Sequence, residues 1–310
     1  MSDTLNNEPK SNSLVDLPPP VPPKKYSESH YLFYGYDKMD SMLNIKDTLS
    51  FLSLHCYDKN ALEQARINSD VAAQVEADID FNKPDAHFCD FCAVELSGGE
   101  YDVLSDGRER CTQCANSAMK TVEQFTRLYE NALRNMEAFY GIRINAAIKV
   151  RMANAKKIAR LCGERFIPTP GFDGRILAFA YPRSKKDSDV YTIYVENGAP
   201  KIAAVANIVH ELTHIWQFIN WDVKKIRSHY GRANELLVYE GMAKWTEIQY
   251  LLFLNEVSYA KRQEIYTRMR SDAYGRGFEK YAGQYPLVYG PGYRKDSPFN
   301  KEWPLNDLKE

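Results

Sequence analysis

From Ala118 onward apolar residues recur at three- and four-residue steps: Ala118, Val122, Phe125, Tyr129, Ala132 or Leu133, Met136 and Tyr140. That period predicts a helix with one face turned to a core. Gly141 marks its end, because glycine takes the left-handed conformation that closes a helix without steric cost. The period then changes. Ile142, Ile144, Ala146, Ile148, Val150 and Met152 alternate, which predicts a strand with one buried face. A basic helix is expected to follow as far as Cys162, with Gly163 ending it. Residues 175–181 and 190–196 read as adjacent antiparallel strands across the polar run 184–189. Two long helices, apolar on nearly every side, are expected over 200–219 and 233–254, the first opened by Pro200. A charged amphipathic helix is expected over 257–271, and the Tyr-, Gly- and Pro-rich remainder reads as irregular.

The N-terminal third is patterned differently. Residues 1–29 lack periodic apolar positions, so they bury too little surface to offset their ordering entropy and read as a disordered arm. Within it Pro18-Pro19-Pro20-Val21-Pro22-Pro23-Lys24-Lys25 favours polyproline II and contains PxxP followed by a basic residue. An SH3-type partner accepts that form, and a stiff linker is the plainer reading. Residues 30–85 read as a helical segment: Asp47 caps one candidate helix through Tyr57, and Asn60 a second through Val75. Leu62, Ala65 and Ser69 loosely resemble the face of a ubiquitin-interacting helix, although its usual acidic flanks are mostly missing.

Composition narrows the class. The chain has 310 residues, 44% hydrophobic and 26% charged, enough for one large domain and a small module. A net charge of -1 gives no reason to expect nucleic acid or an anionic membrane as a partner. Neither an export signal nor a membrane-spanning run is visible, so a cytoplasmic location is expected.

Four of the six cysteines fall in two pairs, Cys89-x2-Cys92 and Cys111-x2-Cys114. This is the spacing of a four-thiolate zinc site, closed and therefore structural. Gly98-Gly99 and Asp106-Gly107 mark turns between the pairs, consistent with small hairpins. His87 is a spare donor beside the site. Cys56 and Cys162 have no visible partner and read as packed thiols.

The first long helix carries His210-Glu211-Leu212-Thr213-His214, an HExxH sequence. Histidines four apart project from one face, so both imidazoles reach one ion. Glu211 lies about 100° further round, positioned to touch a water rather than the metal. Two nitrogen ligands and a general base are what zinc hydrolysis needs. Without a metal, two His and a Glu on so apolar a helix would be buried unpaired at high cost. A third ligand is expected from the second long helix. Glu240 is the favoured candidate, with Gly241 and Ala243 expected to let that helix approach the first. Glu235, near the helix start, and Glu247, seven residues on, are its rivals; Glu247 also suits a role holding a histidine from behind.

HExxH followed by a Glu-Gly-x-Ala helix resembles the gluzincin branch of metallopeptidases. The stretch from Phe88 to Tyr281 resembles more closely the plant organ-size-control peptidases, the DA-one family, and their bacterial relatives. It includes Leu104-Ser105-Asp106-Gly107-Arg108, His210–Gln217, Glu240-Gly241 and Tyr274-Gly275-Arg276-Gly277-Phe278. The resemblance implies an α+β zincin domain over 119–300, a LIM-like zinc module over 86–118, a tail over 301–310, and two zinc ions. It further implies cleavage of protein substrates, with Glu211 as general base and Tyr274 steadying the oxyanion. With 21 tyrosines in the chain, Tyr289 and His229 stay open as alternatives for that last role. Ubiquitin-related regulation is implied as well, although the clear ubiquitin-interacting helices and full LIM domain of the plant members are not evident in this sequence. No acidic anchor of the aminopeptidase type is seen. A catalytically silent zinc adaptor is the alternative of another class, and the intact Glu211 argues against it.

Overall fold

The structure is a computed structural model. It describes residues 59–83, 86–163, 166, 178–181, 190–290, 294, 296–306 and 308, with backbone alone for 59–62 and 178–181. The proline-rich arm, the candidate helix at Asp47 and Cys56 lie outside the described residues. The architecture is helix-rich α+β. In chain order the elements are α1 (Lys59–Asp78), β1 (Tyr101–Val103), β2 (Glu109–Cys111), α2 (Thr112–Asn116), α3 (Val122–Tyr140), β3 (Ala147–Ala153) and α4 (Ala155–Leu161). There follow β4 (Ala178–Tyr181), β5 (Val190–Glu196), α5 (Lys201–Asn220), α6 (Val223–Tyr230), α7 (Glu235–Phe253), α8 (Val257–Met269) and α9 (Ala273–Gln284).

Local chemistry sets the ends of these elements. Thr121 opens α3 with a reciprocal cap: its hydroxyl accepts from the Gln124 N–H at 3.3 Å, and the Gln124 side chain accepts from the Thr121 N–H at 3.1 Å. Gly141 closes α3 in the left-handed conformation, φ 65°. The strand expected from Ile142 begins only at Ala147. Ile142 and Ile144 are buried in the connection ahead of it, where the Ile144 N–H donates to the Glu137 carboxylate at 3.1 Å. Alternation there reports burial, and the ladder with β5 runs from Ala147, opposite Val190, to Ala153, opposite Glu196. The sheet has the order β3-β5-β4, with β3 parallel and β4 antiparallel to β5. A second, two-stranded sheet is the β1–β2 hairpin of the cysteine module.

The core lies where α5, α7, α8 and α9 pack together, with α3 and the three-stranded sheet against α5. α5 and α7 are buried along most of their length, as their all-round apolar sequences require. The remainder after α8 is not irregular throughout: residues 273–284 form α9. Asp272 caps it, accepting from the N–H groups of Tyr274 (3.1 Å) and Gly275 (3.2 Å). Two of its glycines, Gly275 and Gly277, serve packing. A Cβ on Gly277 would stand 2.5 Å from the Leu237 carbonyl oxygen and 2.7 Å from the Gly241 Cα, so α9 lies directly on the α7 backbone. That corrects the expected role of Gly241. Its missing side chain admits α9, since a Cβ there would be 2.5 Å from the Gly277 backbone. α6 was not foreseen in the pattern of long helices. Residues 301–306 pack back on the core, with the Leu305 carbonyl accepting from the Tyr230 hydroxyl at 2.7 Å. Among the described residues no helix is long and apolar enough to cross a membrane.

Candidate metal centres

The module residues Cys89, Cys92, Cys111 and Cys114 are all buried, and their sulfurs lie within 4.8 Å of one another. The Sγ atoms of Cys92 and Cys111 are 3.7 Å apart. Four ligands at 2.3 Å around a tetrahedral zinc would be spaced by about 3.8 Å, so the group fits one. Backbone amides point at the sulfurs as a thiolate site requires: Cys111 N–H to the Cys89 sulfur and Cys114 N–H to the Cys111 sulfur, both at 3.4 Å. The first knuckle turns through Ala93 at φ 57°, and its N–H donates to the Cys89 carbonyl at 2.9 Å. Hydrogen bonds from Cys114 and Cys92 hold the Cys89 thiol far below its ordinary pKa, while the same crowding pushes Cys92 up. His87 is turned away to Glu109, with Nδ1 3.1 Å from its carboxylate. Cys162 is half-buried.

The module is fastened to the rest of the chain. Arg108 lies between Asp106 at 2.8 Å and Glu196, the last residue of β5, in a buried pair. Its guanidinium also covers Phe91, 4.9 Å from the ring centre. Residues 117–119, which leave the module, pair with the segment that leads into α5. Met119 N–H donates to the Ala199 carbonyl (2.9 Å), Gly198 N–H to the Met119 carbonyl (2.9 Å), and Lys201 N–H to the Ser117 carbonyl (3.0 Å). On the other side Arg262 of α8 donates to the Cys92 carbonyl at 2.6 Å.

α5 places His210 and His214 one turn apart, and α7 delivers Glu240 opposite them. The two Nε2 atoms are 3.1 Å apart, and each is 3.3 Å from Glu240 Oε2. Ligands at 2.0–2.1 Å around a tetrahedral zinc would be spaced by about 3.3 Å. The protonation states make the fit stronger. His214 Nδ1 donates to Gln217 Oε1 at 2.8 Å, and Gln217 is held in that orientation because its amide NH2 donates to the Tyr239 carbonyl at 3.0 Å. His210 Nδ1 faces Glu247 Oε2 at 3.3 Å. With both Nδ1 atoms donating outward, both Nε2 lone pairs converge on an anionic oxygen. Glu240 Oε2 is itself buried and makes no hydrogen bond of acceptable geometry. Three converging lone pairs repel unless a cation or a proton sits among them. The electrostatics say the same. Burial would lower His210, yet Glu240 and Glu247 hold it up at about 9. Glu247 is held at about 2 against burial by Lys244 and His210, and Glu240 is depressed further by His214 and His210.

The other named residues divide clearly. Glu211 is buried in the same turn of α5, and its charge acts on His210, His214 and Tyr274. Tyr274, in the first turn of α9, lies with its ring 6.2 Å from that of His210 and nearly parallel to it, at 17°. Burial, Glu240 and Glu211 push its hydroxyl well above the ordinary tyrosine range, so it remains a donor. Arg270 lies over the Tyr274 ring at 4.5 Å and is itself clamped by Asp272. Tyr289 instead stands among Lys261, Glu264 and Glu76, and His229 stacks on Trp303 at 4.1 Å. Glu235 pairs with Arg227 at 2.8 Å. Glu247 takes the supporting position, clamped by the Lys244 ammonium at 2.9 Å on both oxygens. Gln217, Lys244, Arg270 and Asp272 were not singled out in the sequence. The first two could have been found as polar residues three apart from a ligand or its support on an otherwise apolar helix. No family model, no curated protein and no solved structure matches this chain.

Proposed function

We propose that the chain is a zinc-dependent endopeptidase of zincin type, with a LIM-like structural zinc module ahead of its catalytic domain. The observation that carries the reading is the triangle of His210, His214 and Glu240 ligand atoms, spaced at 3.1–3.3 Å beside a buried Glu211 and the Tyr274 ring. Zinc held there would supply a Lewis acid and an activated water. Glu211 then takes the proton released as the scissile carbonyl is attacked, and hands it to the departing amine. The Tyr274 hydroxyl donates to the developing oxyanion. Glu247 and Gln217 fix the two imidazoles so that Nε2 of each faces the Glu240 carboxylate, where an ion would be held. Three protein ligands would leave room for the reacting groups, as a catalytic rather than structural site requires.

The test compares wild type with Glu211→Gln on a mixture of unfolded proteins, reading new N-termini by mass spectrometry. Cleavage is expected to fall by about 10²–10⁴-fold in the variant, with zinc content unchanged. Equal cleavage by both proteins would reject Glu211 as the base. Two bound zinc ions with no cleavage by wild type would support the silent adaptor instead.

A further inference from the structure

The His–Glu centre is closed at one end and apolar at the other. α5 and α7 run antiparallel across it: His210 meets Glu247, His214 meets Glu240, and Gln217 meets the Tyr239 carbonyl. Residues four apart on a helix are neighbours on one face. One turn before His210 on α5 stands Ala206, 0% exposed, and one turn past Glu240 on α7 stands Lys244, 8% exposed. Core packing fills that end. At the opposite end the same two faces carry Phe218, one turn past His214, and Leu236, one turn before Glu240; they are 40% and 57% exposed. The Phe218 ring extends the surface of the centre itself, 6.2 Å from the His214 ring at 22° and 6.5 Å from the Tyr191 ring at 7°. The carboxylate beside Leu236, Glu235, is neutralised by Arg227 at 2.8 Å.

A single exposed leucine needs no explanation. Here two large apolar side chains adjoin two metal-ligand residues, one on each helix, at the end that core packing leaves open. We propose that Phe218 and Leu236 wall a subsite for a large apolar side chain of the substrate residue next to the scissile bond. The inference rests on the peptidase reading and adds a substrate class to it: polypeptides with Leu, Phe or Met at one position flanking the cut. A peptide whose carbonyl reaches the ion places its neighbouring residue one strand step away, about 3.3 Å along the chain, within reach of side chains one helical turn from the ligands. The subsite is continuous with the reacting centre, and the Glu235 carboxylate beside Leu236 is already paired with Arg227.

The test profiles cleavage of a peptide library that varies the residues on both sides of the bond. It compares wild type, Glu211→Gln, Phe218→Ala/Leu236→Ala and Phe218→Lys/Leu236→Lys. All four should retain two zinc ions. Wild type should favour large apolar over acidic residues at one flanking position. The alanine pair should lose at least about 10-fold of that preference, the scale of a lost apolar contact in a specificity pocket. The lysine pair should move the preference toward Asp and Glu. An unchanged profile in both double variants, or a wild type indifferent to apolar residues at both positions, overturns the subsite while leaving the peptidase standing. Cleavage by Glu211→Gln equal to wild type overturns the peptidase, and the subsite falls with it.

Discussion

The two candidate metal-binding groups of this chain are built from equally short motifs and would end in opposite chemistry. Around zinc, four thiolates give a net charge of -2, and all four corners of the tetrahedron are protein. Two neutral imidazoles and one carboxylate give +1 and leave a corner free. The first set would quench an ion as an electrophile and fix a fold; the second would keep it electrophilic. The surroundings follow the same division. The sulfurs are met by backbone amides, which stabilise charge already present. The imidazoles are met by Glu247 and Gln217, which orient the rings and leave their lone pairs for the ion. Ligand spacing picks out both groups, and ligand charge distinguishes which of them would keep a bound ion reactive.

The contrast can be broken most severely at the module. Cys92→Ser is expected to remove one zinc, because apparent binding energies of structural zinc in small modules, on the order of 10–16 kcal/mol, are folding energy. Phe91 and Leu96, buried beside it, should then become exposed, and limited proteolysis should cut within 86–118. The loss should reach α5 as well, since residues 117–119 hydrogen-bond to 198–201 and Arg108 is buried against Glu196. A variant that keeps both ions and resists protease would show that the four sulfurs do not share one metal.

A smaller change sharpens the reactive half. Gly277→Ala sets a Cβ against the Leu237 carbonyl and the Gly241 Cα, which are backbone and cannot yield. We expect a loss of about 1–3 kcal/mol, as in other overpacked contacts. Turnover should fall with both zinc ions retained, because α9 carries Tyr274 but no metal ligand. Gly283, in the same helix, meets nothing within 4 Å of an added Cβ. Gly283→Ala should therefore be neutral or stabilising by about 0.5–1 kcal/mol. Equal thermal midpoints for the two variants would refute the close crossing of α7 and α9.

The parts legible in the sequence are those written in local spacing. CxxC, HExxH and the stop at Gly141 depend on residues within a turn of each other, so their geometry follows from helix and knuckle stereochemistry alone; the helix expected from Ala118 starts at Val122, where Thr121 caps it. α6 carried such signals too: Asp222 accepts from the N–H groups of Lys224 and Lys225, Ile226 and Tyr230 are four apart, and Gly231 follows. Its shortness between two long helices hid it. α9 was illegible for a different reason. Gly275, Gly277 and Gly283 weaken intrinsic helix propensity, and the helix persists because Gly277 admits the α7 backbone and Gly275 the carbonyls of Thr267 and Arg270. The same long-range crossing explains why Gly241 pointed to the wrong neighbour. Glu240 stood out by its helix and its small neighbours, but its reach to both imidazoles is a property of how α5 and α7 cross.

The central claim is that His210, His214 and Glu240 hold an ion separate from the one held by the four cysteines. Zinc content per chain, measured on wild type and Glu240→Ala purified without added chelator, tests it most directly. Two ions in the wild type and one in the variant are expected, with the module intact in both. One ion in the wild type, or two retained in Glu240→Ala with undiminished affinity, would contradict it.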